Sequence, residues 1–225
     1  MKRKFITSVF ALTMTASMAM PVFAATSNNQ SSEVPVVGRI GRWEDGNTNI
    51  ENPTNPGSGS QGENGEINKP SNLTDINVTV PTSMTFDVVT NTTDHSPVFA
   101  TAEYTVTNNG KKPIDMSGQY NVVSAGDINL VEKDAVNAKG GDGNINLALD
   151  LNYGEPTANT PFIENVKNGS TSTQKVNINN GSSTKLKFNS DAAGMADIKQ
   201  EALKGTFATE TKTTTGNLVL TFEQK

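Results

Sequence analysis

Cysteine is absent from the 225 residues. With it go any disulfide framework, thiolate nucleophile, zinc–cysteine site or lipidated N-terminal cysteine. Histidine is nearly absent as well, with His95 the only one. Zinc catalysis draws on about three protein ligands, usually including His, so this chemistry has too few donors. His95 lies in "TNTTDHSP", between Asp94 and Ser96. A catalytic triad assembles from separate segments around a pocket, whereas these three residues share one loop. There is also no G-x-S-x-G elbow, and His95 reads as a turn residue.

Two stretches offer side-chain oxygens at alternating positions: Asp45, Asn47, Asn49 and Glu51, and then Asp142, Asn144, Asn146 and Asp150. A calcium loop of the EF-hand type needs Gly at its sixth position and Glu at its twelfth. The first stretch has Ile50 and Pro56 there, and the second has Leu147 and Tyr153. Both read as solvated turns. The expectation is therefore no catalytic, cofactor-binding or metal-ligating residue, no cofactor, and no enzyme. Asn-x-Ser/Thr sequons at Asn72, Asn77, Asn91 and Asn168 follow from an Asn- and Thr-rich composition.

Long apolar runs are missing except at the start. "MKRKFITSVFALTMTASMAMPVFAATS" has Lys2, Arg3 and Lys4, an uncharged run from Phe5 to Met20, and small residues at Val22-Phe23-Ala24. This is the pattern of a secretory signal peptide over residues 1–24. The run falls short of the roughly 20 apolar residues a membrane span requires. A secreted protein is expected, released or held at the cell surface without covalent anchoring, since "NLVLTFEQK" carries no sorting motif. No membrane insertion is expected after signal cleavage.

Basic residues number 18 against 23 acidic ones, and the signal holds three of the basic and none of the acidic. What remains is 15 basic and 23 acidic, a net −8. Such a surface repels phosphate backbones, so nucleic acid is excluded as an expected partner.

Three regions follow the signal. Residues 25–43 contain "VPVVGRIGRW", with the only tryptophan, Trp43. Residues 44–73 are rich in Asn, Gly, Pro, Ser and Glu and lack aromatics, the composition of a flexible linker. Residues 74–225 form one domain's length.

The 74–225 region alternates. Ile76, Val78 and Val80 share one face, as do Met84, Phe86 and Val88. Val98, Ala100, Ala102, Tyr104 and Val106 form another such set, followed by Ile114, Met116, Tyr120 and Val122. Ile145, Leu147, Leu149, Leu151 and Tyr153 repeat the pattern, and Leu218, Leu220 and Phe222 end it. Period two with one apolar face predicts strands on half-buried sheets. Asn109-Gly110 and Asn180-Gly181 predict hairpin turns. Pro81 and Pro113 fall at expected strand ends. One segment, "SDAAGMADIKQEALKG", spaces Met195, Ile198, Ala202 and Leu203 as a helix does, with Ser190 or Asp191 as its cap and Gly205 at its end. The expected fold is all-β: an antiparallel β-sandwich of about 7–9 strands with one short helix, preceded by a flexible linker and a short N-terminal strand.

"INVTVPTSMTF" and "SPVFATAEYTVTNNGKKPIDMS" resemble the Gram-positive cell-surface proteins grouped around the WxL proteins, which share this order of signal, apolar stretch, linker and sandwich. The layout also resembles, less closely, secreted fibre subunits of biofilm matrices. Trp43 is followed by Glu44-Asp45, so the W-x-L motif itself is absent, and with it the residue basis for that family's wall binding. The resemblance implies a non-enzymatic surface or matrix protein. The alternative is an adhesin or a module binding a wall or host ligand.

As an extended strand, residues 34–40 put Val34, Val36, Gly38 and Ile40 on one face, and Pro35, Val37 and Arg39 on the other. Gly38 leaves a notch in the apolar face, where a backbone or bulky side chain can approach. Pro35 lacks an N–H, which favours a sheet edge or pairing on one side near an end. The interaction residues expected are Val34, Val36, Gly38, Ile40 and Trp43, with Trp43 packing just beyond the strand. Arg39 is expected to matter little. The partner is the chain's own sandwich, a second copy reached by strand exchange, or other surface proteins and wall polymers.

Overall fold

Alternating valines, isoleucines and leucines favour strands because branched side chains pack well on a pleated surface. In a computed structural model these segments are strands almost throughout. The structure describes residues 29–44, 47–48, 64–66, 76–91, 93–136, 144–207 and 210–225. In chain order the strands are β1 (Asn29–Glu44), β2 (Asn47–Thr48), β3 (Asn64–Glu66), β4 (Val78–Pro81), β5 (Met84–Asn91), β6 (Pro97–Thr101), β7 (Tyr104–Asn108) and β8 (Ile114–Ser124). They continue as β9 (Ile128–Leu130), β10 (Ile145–Leu147), β11 (Asp150–Gly154), β12 (Thr160–Ile163), β13 (Ser170–Thr171), β14 (Val176–Ile178) and β15 (Ser183–Asn189). A short helix, α1 (Ala196–Leu203), precedes the last strand, β16 (Lys212–Gln224).

Two sheets carry the fold. An eight-stranded sheet runs β13-β8-β16-β1-β5-β6, with β14 also on β8 and β2 on β1. A six-stranded sheet runs β12-β11-β15-β7-β4-β3. A small parallel pair, β9 and β10, lies apart. Both large sheets feed one apolar core, with Val34, Phe86 and Leu220 from the first and Val78, Leu151 and Phe188 from the second. Each such side chain, fully buried, stabilises the fold by roughly 1.5–3 kcal/mol. No helix among the described residues is long and apolar enough to cross a membrane.

The described strands number sixteen rather than 7–9, because two expected ones are broken and short strands such as β2, β3, β9 and β13 join them. "VFATAEYTVT" divides at Ala102-Glu103 into β6 and β7, which belong to different sheets. The break shifts the parity, so that Val98 is exposed while Phe99 packs on the core. "NINLALDLNY" divides likewise into β10 and β11.

Neither Asn-Gly pair makes a hairpin. Asn109-Gly110 leads from β7 to β8 and Asn180-Gly181 from β14 to β15, each between the two large sheets. Buried Asn108 ties these crossings together. Its side-chain amide donates to the carbonyls of Lys112 and Ile178, its side-chain oxygen accepts from the amide of Gly110, and its carbonyl accepts from the amide of Gly181.

The helix forms where expected, with Met195, Ile198 and Ala202 buried, but Leu203 faces outward. Its N-cap residue is Met195, without a side-chain cap. Asp191 instead accepts the amide of Gly194 in the turn before it. Gly205 ends the helix region with a positive φ of 80°.

Residues 44–73 fall mostly outside the described residues. Within that span β2 pairs with the end of β1, and β3 adds to β4.

Candidate functional site

The most informative place in the fold is where β1 lies. Its antiparallel register with β16 runs from Asn29↔Glu223 to Ile40↔Lys212. Its parallel register with β5 runs from Val36↔Met84 to Trp43↔Asn91. The segment expected at an edge is therefore a central strand. Pro35 fits there because it has a register partner only on the β16 side, Asn217, and the β5 ladder begins one residue later. A residue without an N–H is tolerated where pairing is one-sided. The expectation of one-sided pairing describes Pro35 itself, and it fails for the strand as a whole.

The inward face of β1 is closed to solvent. Val34 and Ile40 have no exposure and Val36 has 1%. Between them, Gly38 lies opposite Phe86 in the parallel register. A β-carbon on Gly38 would stand 2.1, 2.4 and 2.8 Å from three atoms of the Phe86 ring, well inside contact distance. The notch is thus occupied by an aromatic knob. The Phe86 ring also meets Phe188 edge-on at 5.3 Å and stacks with Phe99 at 5.8 Å. Phe86 therefore links β1, β6 and the opposite sheet.

The outward face carries a second contact one residue on. Arg39 is the register partner of Asp87. Its Nε and a terminal nitrogen donate to the two carboxylate oxygens of Asp87 at 2.7 and 2.8 Å. Asp87 has no solvent exposure, while the Arg39 side chain keeps 26%. Burial pushes the Asp87 carboxyl above its ordinary value, more than the hydrogen bonds and charge of Arg39 pull it down. Arg39, expected to be dispensable, is the partner of a buried acid. The alternation of "MTFDVVT" places Asp87 outward, yet Met84 to Thr90 are all buried. Asp87 is the buried acid the periodicity missed. The available signal was a lone charge within an apolar strand.

Trp43 pairs through its backbone with Thr48 and Asn91. Its side chain, and so the packing expected of it, lies outside the described residues.

His95 sits in a turn with a positive φ of 57°. Asp94 accepts the amide of Ser96 at 3.0 Å, and hydrogen bonds from Ser96 hold its carboxyl below the usual range. Asp45, Glu51 and Asp142 lie outside the described residues. Asp150 accepts the amide of Asn165 at 2.8 Å, and the amide of Asn146 is given to Asp197. Among the described residues no group of three or more His, Asp or Glu is placed to hold a metal. A cleft of about 470 Å³ opens between β6 and β15, lined by Val98, Phe99, Ala100, Thr101, Lys187, Phe188, Asn189 and Ser190.

No protein-family model, no curated protein and no solved structure matches this chain.

Proposed function

We propose that this chain is a non-enzymatic, secreted surface or extracellular-matrix protein that assembles with copies of itself through its N-terminal strand. One observation carries the reading: β1, from the N-terminal end of the chain, fills the centre of the eight-stranded sheet between β5 and β16. A strand held on both sides satisfies its own backbone groups and those of two neighbours. Those bonds are the same whether β1 comes from its own chain or another. About thirty residues separate β1 from β4, enough to span up to roughly 100 Å when extended. Docking within the chain is favoured by local concentration. Exchange between chains is favoured by protein concentration, and a head-to-tail exchange that does not close makes a filament.

Hydrogen exchange and electron microscopy test this together. The amides of Val36 to Ile40 are expected to be protected as strongly as those of Leu218 to Phe222. At high concentration the protein is expected to form oligomers or filaments that dissolve on dilution and refolding. A chain that stays monomeric at every concentration overturns the assembly reading. Exchange of the β1 amides at the rate of an unfolded peptide overturns the docking of β1 altogether.

A further inference from the structure

The place between β5 and β16, a groove that β1 fills, makes two strict demands on its strand. At one position Phe86 leaves no room for any side chain on the incoming strand, because even a β-carbon would lie 2.1 Å from the ring. At the next position Asp87 has no exposure and presents both carboxylate oxygens to whatever lies opposite. A buried carboxylate without a cation is strongly unfavourable. The requirements fall on opposite faces at consecutive residues. A strand slipped by one residue would exchange its faces and fail both at once. The flanking positions ask only for apolar side chains, as Val36 and Ile40 supply.

We infer that the groove selects its strand by a glycine followed by a basic residue, Gly38-Arg39 read by Phe86 and Asp87, and that the partner it admits is the β1 strand of a second copy of this chain. This rests on the assembly reading above and adds its rule of specificity. Apolar strands of other secreted proteins would satisfy the core positions and still be refused, since a side chain over Phe86 or a neutral residue opposite Asp87 carries a penalty that the remaining contacts do not offset. Discrimination comes from the cost imposed on the wrong partner. The bidentate geometry favours Arg over Lys, because a planar guanidinium matches a carboxylate with two parallel bonds.

A charge exchange between full chains tests this. One variant carries Arg39→Glu and a second carries Asp87→Lys. Each is mismatched with itself, while the strand of either matches the groove of the other. A third chain carries both substitutions. All are denatured, refolded alone or as an equimolar mixture of the two single variants with different tags, and analysed by co-purification, size and melting temperature.

The single variants are expected to melt well below the wild type, and the double variant to recover most of the loss. The mixture should yield a species holding both tags, melting above either single variant, which neither forms alone. Where a single variant does not fold by itself, the mixture still reports, because folded protein then appears only on mixing. Single variants as stable as the wild type, or a double variant no more stable than they are, overturn selection by this pair and leave assembly through β1 standing. Recovery in the double variant with no species holding both tags overturns the second copy as partner, and the assembly reading with it.

Discussion

Gly38 and Phe86 face each other on parallel neighbouring strands, and the ring of one occupies the side-chain space of the other. Phe86 is fully buried and touches both Phe99 and Phe188, so it has no free direction in which to retreat. Gly38→Ala is expected to destabilise the protein by about 1–3 kcal/mol, the range for overpacking a filled core. Phe86→Leu, which shortens the knob, should cost less in the Gly38→Ala background than in the wild type. Denaturant titration of the four proteins checks this, and strictly additive effects would sink the contact as drawn.

Arg39 and Asp87 make a prediction with a pH dependence. Arg39→Ala leaves the Asp87 carboxylate buried and unpaired, at a cost of about 3–5 kcal/mol at neutral pH. Both influences that lower the Asp87 carboxyl come from Arg39, so in the variant its folded value rises further above the ordinary 3.8. An acid whose folded value is raised contributes stability that is fully present below its unfolded value and lost as pH rises through the folded one. The gap between wild type and Arg39→Ala should therefore be widest at neutral pH and narrow as pH falls toward 3.8 and below. Stability curves for the two proteins over that range check it, and a gap independent of pH would argue against an ionised Asp87.

Tyr120 makes the third. It is 1% exposed, its hydroxyl has no hydrogen-bond partner among the described residues, and burial pushes its ionisation well above the ordinary 10.0. Removing a buried unsatisfied group relieves a desolvation cost of about 1–3 kcal/mol, less the packing lost with the oxygen. Tyr120→Phe is expected to raise stability by about 1 kcal/mol, read from the denaturation midpoint. Gly216 lies against this hydroxyl, where a β-carbon would stand 2.3 Å from the oxygen. Gly216→Ala should therefore be tolerated better in the Tyr120→Phe background.

Much of the architecture is legible in the sequence because a buried face leaves a local trace. Val78 and Val80, Met116 and Tyr120, and Leu218, Leu220 and Phe222 all keep the inward parity that alternation assigns them. The notch at Gly38 is legible for the same reason. Which strands pair is less so, since parity says nothing about a neighbour distant in sequence. Asn109-Gly110 and Asn180-Gly181 have the composition of hairpin turns, yet the chain crosses between sheets at both, and the buried side chain of Asn108 joins the crossings. Asp87 escapes notice because alternation assumes one wet face, whereas β5 is buried along nearly its whole length. Arg39 escapes with it, since the worth of a partly exposed cation depends on a partner 48 residues away.

The position of β1 between β5 and β16 also sets a clock. A ribosome delivers the chain from its N-terminus, so β1 is made first and β16, one of its two neighbours, last. Until Lys212–Gln224 has emerged, β1 can have within its own chain at most the β5 side of its ladder, and the centre of the larger sheet is open. Closing it joins the first and last described strands, the widest sequence separation of any strand pairing among the described residues and correspondingly slow to form. The finished sheet is thus withheld until Lys212–Gln224 has been made, and a chain cut short of it has no native β16 face on which to spend its first strand.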